Sequence, residues 1–218
     1  MRVSSYRDLC MDVHESRLLF KVARRRITVS RIFAILVVLL AIFTESSFKQ
    51  GGLTDILFET FGLFLLTVCS AGRLWALLYL SGYKKRELIM EGPYSMVQHP
   101  LYVFSLIGAI GIGLASENIL VLAVLVIFYL LYYPLTIFVE EKKLADKFGQ
   151  VYLDYAKRTP RFLPKLSLYK SSAQYQINAD IFVKRLVFGM WFIWIFIILH
   201  IIEALQQSGH IPVLLRVP

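Results

Sequence analysis

Charge is scarce in this 218-residue chain, with Asp, Glu, Lys and Arg making up only 18% of it. Soluble domains carry about 25% charged residues. Cysteine is almost absent: Cys10 and Cys69 lie far apart, no Cys-x-x-Cys occurs, and a small disulfide scaffold is excluded. Histidine is equally sparse, and His14, His99, His200 and His210 are too scattered for metal-ligand spacing, so we expect no metal site. No Gly-x-Gly-x-x-Gly follows a strand-like run, which argues against a soluble Rossmann-type cofactor domain. The nearest glycines, Gly108, Gly111 and Gly113, fall inside an apolar stretch, where small residues let helices pack closely. Low polarity also rules out intrinsic disorder. What is abundant is apolar surface: 57% of residues are hydrophobic and the mean hydropathy is +0.63, more than one soluble core of this size can hide.

An apolar membrane core about 30 Å thick takes about 20 helical residues to cross. Five candidate spans follow: Ile27–Phe43, Leu53–Leu80, Leu101–Ala115, Ile119–Val139 and Leu186–Leu205. The third and fourth are joined by the tight Ser116-Glu117-Asn118 turn and form a helical hairpin. The expected fold is therefore all-α, a polytopic membrane bundle of about five transmembrane helices with short cytoplasmic helices. The first span follows about thirty polar and basic residues and no small-residue cleavage site follows it, so it does not read as a cleavable signal.

With the N-terminus cytoplasmic, segments 1–31, 81–98 and 140–185 lie inside and hold 21 of the 24 Lys and Arg residues; Lys49, Arg73 and Arg216 are the others. That bias fixes the expected orientation. It also explains the net charge of +9 through anionic headgroups, without a nucleic-acid partner. The connectors 81–100 and 140–165 then both emerge on the cytoplasmic face, where water-soluble cofactors are available.

Three features of those connectors carry chemistry. In Glu91-Gly92-Pro93-Tyr94-Ser95-Met96-Val97-Gln98-His99-Pro100-Leu101-Tyr102, Gly-Pro opens a turn and Pro100 suits the first turn of the third span. His99 is then held at a helix N-terminus, whose dipole and N–H groups attract anions; the alternative is a capping turn at the interface. Glu140-Glu141 directly follows the fourth span. Successive helical residues point about 100° apart, so one carboxylate can face a pocket while the other faces elsewhere. Either helix capping or pairing with Lys142, Lys143 or Lys147 also accounts for them. In Phe148-Gly149-Gln150-Val151-Tyr152-Leu153-Asp154-Tyr155, Gly149 reads as a helix stop, and Tyr152 and Tyr155 share a helical face. These aromatic residues also suit interfacial anchoring.

Taken in order with Pro160-Arg161-Phe162-Leu163-Pro164, these elements resemble the isoprenylcysteine carboxyl methyltransferase family of integral membrane enzymes that use S-adenosylmethionine. The resemblance covers about residues 73 to 164. It implies a cofactor site made by the hairpin and its flanking connectors, with Tyr94, Val97, Gln98, His99, Leu101, Tyr102, Glu141, Tyr152 and Tyr155 as cofactor-binding candidates. Glu140 and Arg73 are the catalytic candidates, and a lipid or lipidated substrate enters sideways from the bilayer. The chain divides accordingly into 1–72 (N-terminal segment and two spans), 73–165 (methyltransferase core) and 166–218 (linker and additional span).

Two departures bear on the acceptor. Gln98 stands where the family usually has arginine, and Tyr132–Val139 lacks the arginine that many relatives carry. Arg73, near the inner end of the second span, either snorkels to the interface or takes an anionic group in their place. The acceptor remains open among a prenylated carboxylate, a lipid phosphate and a phospholipid amine. Alternative readings are an NADPH-dependent membrane reductase of sterols or polyprenols and a non-enzymatic transporter subunit or scaffold. The fifth span lies beyond the resemblance, and its Trp191, Phe192, Trp194 and Phe196 are expected to face lipid or pack between helices.

Overall fold

The computed structural model describes residues 26–46, 52–83, 87–172, 174–175, 177–210 and 215–217. The basic N-terminal segment with Cys10 and His14, together with Lys49 and Lys84-Lys85-Arg86, lies outside the described residues. Helices α1 (Arg26–Phe43), α2 (Leu53–Tyr83), α4 (Pro100–Ala115) and α5 (Ile119–Phe148) match the first four expected spans, and α3 (Pro93–Met96) is a single turn between α2 and α4. After α5 come α6 (Gln150–Arg158), a 3-10 turn at Leu166–Leu168, and α7 (Ala179–Gly189) followed by α8 (Trp191–Gln207). Three-residue strands β1 (Thr44–Ser46) and β2 (Leu215–Val217) pair in parallel. The protein is a helical membrane bundle.

Two boundaries differ from the sequence reading. α5 does not stop at Val139 but runs on to Phe148, so Glu140-Glu141 lies within a helix rather than after one. Glu, Lys, Leu and Ala are good helix formers and nothing breaks the chain until Gly149, whose φ of +54° ends α5 and starts α6. The fifth span is longer than expected and changes direction at Met190, which closes α7 through its N–H to Leu186 and caps α8. Three stretches, Leu53–Ser81, Ile119–Phe148 and Ala179–Gln206, are each long and apolar enough to cross a membrane; Thr28–Phe43 and Pro100–Ala115 are shorter apolar helices.

α2 and α4 form the centre of the bundle, and glycine sets their separation. A Cβ at Gly62 would stand 2.6 Å from the Ala115 nitrogen, and one at Gly111 would stand 3.0 Å from the Gly62 carbonyl oxygen. Gly108 packs against Cys69 and Phe192, and Gly113 against Leu122, as expected for close helix contact. Leu66, Ile112, Leu199 and Ile202 form a buried cluster with partly buried Val38, Leu125 and Phe196 around it, tying α1, α2, α4, α5 and α8 together. Asn118 caps the start of α5 by accepting from the Leu120 and Val121 N–H groups, and its amide donates to the Thr44 hydroxyl. Leu57, Phe61, Phe64, Leu131 and Ile201 face outward, as a helix surface in hydrocarbon requires.

Candidate active site

Both connectors meet at the end of the bundle where α4 begins. Gly92 has φ +59°, and a Cβ there would run into the Tyr79 ring, so the Gly-Pro turn needs glycine for conformation and for space. Pro93 then starts α3, and Pro100 takes the first position of α4 with His99 as its N-cap residue. The segment after α6 is bonded to this connector along its length. Gln98 N–H donates to the Pro160 carbonyl at 2.9 Å, Lys165 N–H to Met96 at 3.1 Å and Gly92 N–H to Lys170 at 2.7 Å.

The polar extension of α5 beyond Val139 brings Glu140 and Glu141 to the start of α4. The Tyr102 hydroxyl donates to Glu140 Oε2 at 2.6 Å. Glu141 is buried, with His99 Nε2 3.1 Å from its Oε1 and Arg161 Nη2 donating to its Oε2 at 2.7 Å. His99, only 5% exposed, is thereby locked in place by a charged network. Tyr152 and Tyr155 are both buried with rings 6.3 Å apart, and the Tyr155 hydroxyl donates to the Tyr94 carbonyl at 2.7 Å. Burial pushes the Tyr94 and Tyr155 phenols above the ordinary range, and at Tyr94 the charge of Glu140 adds to that effect.

A cavity of about 510 Å³ opens beside this network, a size typical of small-molecule sites. Tyr94, Gln98, His99, Leu101, Tyr102, Glu140, Tyr152 and Tyr155 all line it. Glu141 and Val97 do not; they stand behind its wall, Glu141 supporting His99 and Val97 buried at 2% exposure. Of the adjacent carboxylates, then, Glu140 is the one that faces the pocket. Further along α4 and α5 the lining becomes apolar, with Ile112, Leu125 and Phe128. Arg73 sits between these two regions. It is turned inward rather than out to the interface, Nη1 donating to the Ser105 hydroxyl at 2.5 Å and the guanidinium 5.3 Å from the Phe192 ring centroid.

The apolar limb includes residues that sequence reasoning left out: Phe33 and Val37 of α1, and Phe192 and Ile195 of α8. Phe192 does pack between helices as expected, but it also forms cavity wall. Trp194, on the same helix, is 53% exposed and faces outward. Ordinary apolar residues in a span carry no mark of which face lines a cavity, so no signal in the sequence distinguishes Phe192 from Trp194. Among the described residues no group of three His, Cys, Asp or Glu is arranged to hold a metal ion.

A family model described as phospholipid methyltransferase matches residues 29–151, from α1 to the start of α6. The chain is 35% identical over 195 residues to the nickel-cobalt-cadmium resistance protein NccN of Alcaligenes xylosoxydans xylosoxydans, covering 89% of this chain and 91% of that protein. It is 33% identical over 186 residues to the cobalt-zinc-cadmium resistance protein CzcN of Cupriavidus metallidurans, covering 85% of each. No solved structure gives a significant match.

Proposed function

The chain belongs to the phospholipid methyltransferase family, within the superfamily of integral membrane methyltransferases related to isoprenylcysteine carboxyl methyltransferase, and from that premise we propose that it transfers a methyl group from S-adenosylmethionine to a lipid or lipidated acceptor at the cytoplasmic face. The observation that carries this reading is one cavity with a polar, carboxylate-bearing end at the two connectors and an apolar limb inside the bundle. A water-soluble donor and a membrane-held acceptor need such a junction. The family assignment favours methyl transfer over the reductase alternative.

S-adenosylmethionine supplies a methyl group on a sulfonium, already an excellent leaving group, so the protein's part is placement and charge. Residues of the polar end fit that cofactor. Glu140, held by the Tyr102 hydroxyl, offsets the cost of bringing a positive charge out of water. Glu141 and Arg161 fix His99 from behind, acting as positioning residues. In the wall between the two regions, Arg73 and Ser105 are placed to meet the acceptor's head, while Phe33, Val37, Phe192 and Ile195 take its apolar chain. A carboxylate or phosphate acceptor is ionised at neutral pH and needs no base; an amine acceptor needs one, and Glu140 is the group in position. On this reading residues 73–165 carry the reaction, while segments 1–72 and 166–218 complete the apolar limb.

The names of the two relatives concern metal resistance; we infer that methylation of a membrane component is what this chain contributes to such a response. The test is to incubate membranes containing the protein with cofactor labelled in the methyl group, extract with organic solvent and treat with alkali. Rapid release of methanol identifies a carboxyl ester, resistant label an N-methyl group, and intermediate lability a phosphate ester. Absence of label from both lipid and protein overturns the proposal.

A further inference from the structure

The segment that follows α6 has two unlike sides. Its inner side is bonded to the connector before α4. Besides the backbone bonds from Gln98 to Pro160 and from Lys165 to Met96, the Lys170 N–H donates to the Ser95 hydroxyl at 3.0 Å. The Leu168 and Tyr169 N–H groups close the 3-10 turn on the Lys165 and Leu166 carbonyls. Its outer side is apolar and uncovered: Leu163 is 83% exposed and Leu166 76%, with Phe162 and Tyr169 exposed beside them. Leucines left in water forgo the gain that burial brings, and a segment tied down by its backbone cannot fold them inward.

Depth and charge say what covers them. The apolar stretch of α2 reaches Ser81, and the Tyr169 ring packs 6.2 Å from the ring of Trp75, six residues or about 9 Å inside that end. The turn therefore lies alongside the end of the span rather than above it, with Trp75 and Tyr169 at the level where aromatic side chains gather at a membrane surface. From Tyr155 to Ala179 the chain has five basic residues, Lys157, Arg158, Arg161, Lys165 and Lys170, and no acidic one. Asp154 pairs with Lys157 and Glu141 with Arg161. Lys165 and Lys170, which bracket the 3-10 turn, are exposed and form no ion pair among the described residues. Apolar side chains at the acyl boundary with lysines at their edge bind an anionic lipid surface. We propose that residues 162–170 form a binding site for anionic lipid headgroups on the connector side of the bilayer, Leu163 and Leu166 entering the acyl boundary while Lys165 and Lys170 hold the phosphate-bearing heads. The proposal stands apart from the methyltransferase reading. It sets the bilayer surface level with the polar end of the cavity, to which the same backbone is bonded.

The experiment places a bimane fluorophore on Leu163→Cys in the purified full chain, with Cys10→Ser as background and Cys69 buried. The protein is reconstituted in phosphatidylcholine vesicles containing equal fractions of either brominated phosphatidylcholine or brominated phosphatidylglycerol, whose acyl chains quench at contact. Both lipids should quench the label, the anionic one with a relative association about fivefold higher or more, the gain that one basic side chain brings at an anionic surface. The Lys165→Gln/Lys170→Gln double variant, which alters only exposed side chains, should bring that ratio below about twofold. Raised salt should lower it in the wild-type pair of lysines and leave the double variant unchanged. Equal quenching by the two lipids overturns the anionic site and reduces the turn to apolar insertion. A label that iodide quenches and neither lipid does stands in water, which overturns the proposal. A label that neither iodide nor lipid reaches is covered by protein, a second copy or another chain, and that result overturns it as well.

Discussion

Adjacent carboxylates at residues 140 and 141 do different work because a helix points them in different directions. Glu140 faces the cavity with one oxygen held by Tyr102, whereas Glu141 is enclosed by His99 and Arg161. That pattern was partly legible: the Glu pair, His99 and Tyr102 all stand out in sequence, and helical geometry requires the two carboxylates to diverge. Which one faces inward was not legible, because the answer depends on the helical phase in which α5 continues past Val139. Glu141→Gln keeps the shape but removes the charge that two cationic or polar donors enclose. We expect it to lower unfolding stability by about 1–3 kcal/mol and to weaken cofactor binding indirectly; calorimetric unfolding together with S-adenosylhomocysteine titration checks both. An unfolding temperature equal to wild type would remove Glu141 from the support of His99.

At the scale of elements, glycine and proline marked the boundaries well. Pro100 opens α4, Gly149 closes α5, and the glycines of α4 permit its contact with α2. The boundaries missed were those where hydropathy and helicity part company. α5 leaves the apolar region at Val139 and remains a helix through polar but helix-forming residues, and the bend at Met190 has no proline to announce it. Gly62→Val tests the α2–α4 contact, since the added carbons meet the backbone of Ala115 and Gly111, which cannot yield as a side chain can. A loss of about 1–3 kcal/mol of stability is expected, visible as a lower unfolding temperature. At the hairpin turn, burial and the neighbouring carboxylates Asp55, Glu203 and Glu59 push the Glu117 carboxyl up to about 8. The folded chain therefore holds a proton that an unfolded chain releases near the ordinary value of 4.5. Stability should then fall as pH rises from about 5 and level off above about 8. Unfolding temperatures at pH 6 and 8.5 should differ in that direction, and Glu117→Gln should narrow the gap.

For the whole molecule, composition alone identified a membrane bundle, and the order of motifs identified the family. The extent of the cavity was hidden, because α1 and α8 contribute only unexceptional apolar side chains such as Val37 and Phe192. Both connectors are hydrogen-bonded to each other at one end of the bundle, so they must share a side of the membrane. With Cys10→Ser as background, Lys143→Cys and Lys165→Cys should react with a membrane-impermeant maleimide only in inverted vesicles, and His210→Cys only in intact cells. Labelling of Lys143→Cys from outside would reverse the proposed orientation.

The most direct test of the proposal that the cavity joins a sulfonium donor to a membrane-held acceptor is transfer of a tritiated methyl group from S-adenosylmethionine into the organic extract of membranes. Wild-type membranes should incorporate label well above membranes lacking the protein, and Glu140→Gln should lower the rate about tenfold or more, the effect of losing one charge-assisted contact. Equal incorporation with and without the protein, or a Glu140→Gln rate equal to wild type, would contradict the account.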